Sequence, residues 1–152
     1  MEPVVKTALE NLEDTRNAYR DTIRGMDKEA LNWRPGPDTN SAAALIVHIA
    51  GSQGALISAI RRVPFQRDRD AEFRATAESD TELLAKLDEM ETLLNELAPQ
   101  ITAEDLSEMR ERSDGRTNTG LFWLFHNVSH QREHLGHIQL TKQMYEQQRS
   151  AS

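Results

Sequence analysis

Cysteine is absent from this 152-residue chain. That absence excludes disulfide frameworks, thiolate zinc knuckles and cysteine nucleophiles, so a bound metal has to rely on His, Asp or Glu. Aromatic residues make up only 5% of the chain, and the longest uninterrupted apolar run is Ala42 to Val47. A bilayer crossing takes roughly 20 apolar residues, so no membrane span is expected. Positive charge is also scarce, with 18 basic against 25 acidic side chains and a net charge of -7. Such a surface lacks the field that draws phosphates in, and neither nucleic acid nor an anionic membrane is an expected partner. The opening Met-Glu-Pro-Val-Val-Lys does not read as a secretory leader, which makes the cytoplasm the expected location. A length of 152 residues with 38% hydrophobic content suits one domain, 1–152, with a single core.

Four helical patterns run along the chain. Val4, Val5, Ala8, Leu9, Leu12, Thr15, Tyr19 and Ile23 recur at helical steps between Pro3 and about Arg24, with Gly25 as the stop. A loop from Asp27 to Asn40 follows, carrying Trp33 and the breakers Pro35, Gly36 and Pro37. Asn40 or Ser41 caps a second helix to about Arg62, on the stripe Leu45, Ile49, Leu56 and Ile60. His48 lies beside that stripe among small residues that include Ser52, Ala55 and Ala59. The charged stretch from Val63 to Ala77 reads as a long polar, solvated crossover. Ser79 or Asp80 caps a third helix to Ala98, Thr102 with Asp105 marks one more helical turn, and Asp114-Gly115 marks a turn. The last helix spans about Gly120 to Gln148. With no convincing strand, the expected fold is all-α, a four-helix bundle.

Four of the five histidines fall within 12 residues, as His126, His130, His134 and His137. On a helix they sit at about 0°, 40°, 80° and 20°, on one face. About 12 Å of rise separates His126 from His134, so one ion takes an adjacent pair of them, with His48 as the third donor. The alternatives are a solvated histidine face or a network that responds to protonation. Leu121, Leu124, Val128 and Leu135 lie nearly opposite the histidines, a second face to bury, and imply a homodimer.

The stretch Trp33-Arg34-Pro35-Gly36-Pro37, the run Leu45-Ile46-Val47-His48-Ile49-Ala50 and the segment His126-Asn127-Val128-Ser129-His130-Gln131-Arg132-Glu133-His134-Leu135-Gly136-His137-Ile138 together resemble the DinB-like superfamily of metal-binding four-helix bundles. The resemblance implies one divalent ion, zinc or nickel, held by His48, His130 and His134 with an open coordination position. It selects His130 with His134 because the family's last ligand precedes an Arg-Gly-Gln-like stretch, here Leu135-Gly136-His137. His126 and His137 are left without an assigned role, and the segment around Trp33 either covers the mouth of the site or is a connector with a core tryptophan. The resemblance further implies thiol-dependent transferase activity, with a low-molecular-weight thiol and a small electrophile as partners. A metal-dependent hydrolase, with Glu133 or Asp38 as base, and a non-catalytic metal-binding or stress-response bundle are the alternatives. A serine triad built on Ser52 or Ser129 lacks the nucleophile elbow and is discounted.

Overall fold

The computed structural model describes residues 1–151. Its helices are α1 (Pro3–Ile23), α2 (Lys28–Asn32), α3 (Ala42–Arg61), α4 (Arg69–Phe73), α5 (Asp80–Leu97), α6 (Ala103–Ser107) and α7 (Gly120–Ala151), with a 3-10 turn at Ala98–Gln100. The long helices α1, α3, α5 and α7 form an all-α bundle. Their starts follow local chemistry: Pro3 opens α1, the Ser41 hydroxyl accepts from the Ala44 amide, and Thr102 with Asp105 makes a reciprocal capping box on α6. Ser79 starts α5 without a side-chain cap bond, and Asp80 instead accepts from the Gly25 amide, tying α5 to the end of α1. Gly25 takes φ +86°, a left-handed conformation that a Cβ would oppose.

Helix α3 is the central element. Its apolar side chains are buried on more than the expected stripe, since Ile46 and Ile57 join Leu45, Ile49, Leu56 and Ile60 inside. By length and mean hydropathy, 1.6, it matches a membrane span, yet its window is 72% buried within the bundle. An interior helix of this kind is apolar all round because it is surrounded by protein. Each such Leu or Ile contributes about 1.5–3 kcal/mol on burial.

The apolar core divides in two. One part gathers Tyr19, Ile23, Leu45, Ile46, Leu87 and Ile138, and the other Leu12, Leu56, Ile60, Leu94, Trp123 and Leu124. Between them runs a belt of buried amides. The Gln53 side chain donates to the Met90 carbonyl, Gln131 donates to the Ile49 carbonyl, and Asn127 donates to Gln53. The Tyr19 hydroxyl donates to the Gln131 carbonyl, and burial pushes its ionisation well above the ordinary phenol range.

Three elements differ from the sequence expectation. The loop after α1 contains the five-residue α2, capped by Asp27 accepting from Ala30. The crossover contains α4, capped by Asp68. The expected absence of strands is corrected by an antiparallel pair, β1 (Met109–Glu111) and β2 (Thr117–Thr119), turned at Gly115 with φ +86°. That pair carries no apolar alternation. Buried Arg110 holds it instead, donating to the Ile60 carbonyl and to Asp105, while the Trp123 indole donates to the Arg110 carbonyl. The stripe Leu121, Leu124, Val128 and Leu135 is also largely used within the chain, with Leu124 and Leu135 buried.

Candidate metal centre

His48 leaves the central helix α3, and His130 and His134 leave successive turns of α7. The Nε2 atoms of His48 and His130 lie 3.4 Å apart, and those of His130 and His134 lie 3.0 Å apart. One ring nitrogen from each of the three lies within 4.8 Å of the others. Nitrogens at 2.0–2.1 Å from a tetrahedral ion sit about 3.3 Å from one another, so the spacing fits a small divalent cation.

The hydrogen bonds behind the rings fit it too. His48 Nδ1 lies 3.0 Å from Glu72 Oε1. An ionised carboxylate only accepts, so Nδ1 carries the proton and the His48 Nε2 lone pair faces the other two rings. Ser52 Oγ stands 3.3 Å behind His130 Nδ1, and His137 Nδ1 stands 3.2 Å behind His134 Nδ1. A single proton between His130 and His134 leaves the His48 lone pair unsatisfied, whereas a cation among the three nitrogens serves all of them.

Electrostatics keep two of the three rings neutral. Burial, followed by the charges of the other histidines, pushes His130 down to about 3, and burial with His48 and His137 pushes His134 down to about 4. Neutral imidazole is the form that binds metal, so at pH 7 protons do not compete for these two donors. Burial acts to raise the Glu72 carboxyl, but hydrogen bonds from His48 and Arg67 outweigh it and hold the group below the usual range. Arg67 donates to both Glu72 oxygens, at 2.8 and 2.9 Å. The Phe73 ring covers His48 with its centroid 4.6 Å away.

The other expected residues fall outside this group. His126 is half-buried beside Trp123 and stacks on His130 at 5.7 Å, and burial with the Arg112 and Arg116 charges lowers its pKa. His137 is exposed and serves His134 from behind. Glu133 and Asp38 are exposed and make no hydrogen bond to the histidines among the described residues. Trp33 packs on Tyr145, with centroids 5.7 Å apart, as part of the core, and it is Phe73 that covers the site. Ser129 donates to the His126 carbonyl, away from the three-His group.

Sequence reasoning missed Glu72, Arg67 and Phe73, which lie in the stretch read as a solvated crossover. The available signal was Gly51 and Gly54 on an otherwise Ala-, Leu- and Ile-rich helix. A Cβ at Gly51 would overlap the Glu72 carboxylate, and one at Gly54 would overlap the Phe65 ring. The two glycines seat the crossover on α3.

A family model described as the DinB superfamily matches residues 11–138. The chain belongs to the DinB superfamily. Solved structures share its fold. A conserved protein from Enterococcus faecalis superposes with TM-score 0.76 at 17% identity, covering 93% of this chain and 96% of that one. A DinB-like protein from Bacillus cereus superposes with TM-score 0.74 at 15% identity, covering 92% and 91%. The mycothiol-dependent maleylpyruvate isomerase superposes with TM-score 0.67 at 15% identity, covering 86% of this DinB-superfamily chain but 59% of that protein. No curated protein sequence matches the chain.

Proposed function

We propose that His48, His130 and His134 bind one divalent ion, zinc or nickel, and that the protein uses it in thiol-dependent transfer to a small electrophile. The observation that carries this reading is the convergence of three imidazole nitrogens, each ring with a separate hydrogen-bonding partner behind it. Among the described residues no fourth side chain completes the group, so the donor set is that of a reactive site more than of a closed structural one. A divalent ion on three neutral imidazoles supplies a Lewis acid that favours the ionised form of a thiol or water bound beside it.

The chain's own groups have distinct tasks in this reading. Glu72 fixes the His48 tautomer and ring direction, and Arg67 keeps that carboxylate ionised. Phe73 shields the outer side of His48 from water. The fold likeness to a mycothiol-dependent enzyme supports a thiol as the partner. Hydrolysis is the weaker reading, because Glu72 is already engaged by His48 and Arg67 and neither Glu133 nor Asp38 is at the site. The homodimer expected from α7 is retained as part of the proposal, on Phe122 and Phe125, which are 48% and 59% exposed.

Elemental analysis of untagged protein tests the metal reading. About one ion per chain is expected, lost in each of His48→Ala, His130→Ala and His134→Ala and kept in His126→Ala. A chain that takes up neither zinc nor nickel on reconstitution would overturn it.

A further inference from the structure

An acidic protein with net charge -7 gathers positive charge at one place. Arg112, in the turn between β1 and β2, lies over the Trp123 ring at 5.2 Å, and Arg116 lies over the same ring at 5.9 Å. Trp123 stands edge-on to His126, which in turn stacks on His130. Arg69 caps the Phe73 ring from 5.0 Å, and Phe73 covers His48. Arg67 reaches within 3.4 Å of His48 Nδ1. Four guanidinium groups therefore flank the three-His group.

Their partners differ. Glu72 neutralises Arg67, and Asp114 pairs with Arg116 at 2.9 Å. The Arg112 guanidinium makes no hydrogen bond or ion pair among the described residues, and Asp114 is the carboxylate whose charge reaches it. Burial and the repulsion of Arg116, Arg67 and Arg69 weaken its hold on its proton. A half-buried Arg in that setting gains from an incoming anion that can accept two of its N–H bonds.

There is room for one. A recess of about 180 Å³ opens between α3 and the strand pair, lined by Ala55, Ala59, Phe65, Arg67 and Arg112. On α3 it continues the face that carries His48 and Ser52, and about 10 Å of helical rise separates His48 from Ala55. The Arg112 guanidinium that lines this recess is near enough to the histidine face for its charge to act on His126 and His130.

We infer that Arg112 is a carboxylate anchor, and that the ligand whose reacting end lies at the three histidines is a small organic acid held by this arginine in the Ala55–Ala59 recess. The inference rests on the three-His site being where the ligand reacts, and it adds the chemical class of that ligand. The acid group belongs either to the thiol or to the electrophile, and both give Arg112 the same task.

The test is calorimetric titration of the full-length protein, as purified and after chelation, with three probes. Glutarate carries acid without thiol, 2-mercaptoethanol thiol without acid, and 3-mercaptopropionate both. Glutarate binding is expected with and without chelation, weakened about tenfold in Arg112→Gln and partly regained in Arg112→Lys. If the acid is on the thiol, 3-mercaptopropionate binds about tenfold tighter than 2-mercaptoethanol, and Arg112→Gln removes the difference. If it is on the electrophile, glutarate and 2-mercaptoethanol bind together without competing. Failure of every acid to bind, or acid affinity unchanged in Arg112→Gln, overturns the anchor even where thiols bind. Acid binding through Arg112 with no thiol binding keeps the anchor and overturns the thiol reading.

Discussion

The direction of one proton decides how His48 is presented. Its Nδ1 faces the buried, ionised Glu72, which cannot donate, so the Nε2 lone pair is turned to His130 and His134. Replacing Glu72 by Gln keeps the shape but removes the charge and frees Arg67, 3.4 Å from the imidazole. Metal affinity measured by chelator competition is expected to fall about 10- to 100-fold in Glu72→Gln, with the far-UV spectrum unchanged. Unchanged affinity would show that the carboxylate does not act on the ligand. At this scale the sequence disclosed the three histidines that come together and hid the groups behind them. Clustered histidines at helical spacing are visible in one dimension, whereas Glu72 is 24 residues from His48 and joined to it only by the path of the crossover.

That path is an element-scale matter, and it depends on α3 having no side chain at Gly51 and Gly54. Alanine is ordinarily favoured over glycine in a helix interior by about 1 kcal/mol. At exposed Gly136 on α7 a Cβ meets nothing within 4 Å, so Gly136→Ala is expected to raise the melting temperature. At Gly51 the same Cβ overlaps a carboxylate pinned by His48 and Arg67, so Gly51→Ala is expected to lower the melting temperature and weaken metal binding together. Equal effects at the two positions would refute the seating of the crossover. The long helices were legible because periodicity, caps and breakers agree along them. The crossover and the strand pair were not, because Glu72 and Arg110 are buried through ion pairs, and a buried charge looks in sequence like a surface one.

For the whole molecule, the depressed histidines link folding to pH. An unfolded imidazole takes up its proton near 6.5, while His130 and His134 do so only near 3 and 4 when folded. Between those values the unfolded chain binds more protons, so stability rises with pH across the window and falls as pH drops below 6.5. The carboxylates held low, Glu72, Glu91, Asp105 and Asp114, lose their contribution only nearer pH 4, which leaves the range from about 6.5 to 4.5 to the histidines. Chelator-treated protein should therefore show a lower urea midpoint at pH 5.5 than at pH 7.5, and the difference should shrink in His130→Ala. A midpoint indifferent to pH would mean that these rings are solvated.

The belt of amides between the two apolar cores has a consequence for alignment. Greasy layers alone tolerate sliding, since a leucine that moves by one turn, about 5.4 Å, meets another apolar surface. Gln53, Asn127 and Gln131 do not tolerate it, because the slide strands buried amides from the Met90 and Ile49 carbonyls. The belt thus acts as a ratchet tooth between α3 and α7. It sets the phase in which His48 meets His130, so the three-His group is assembled by the fold's own indexing.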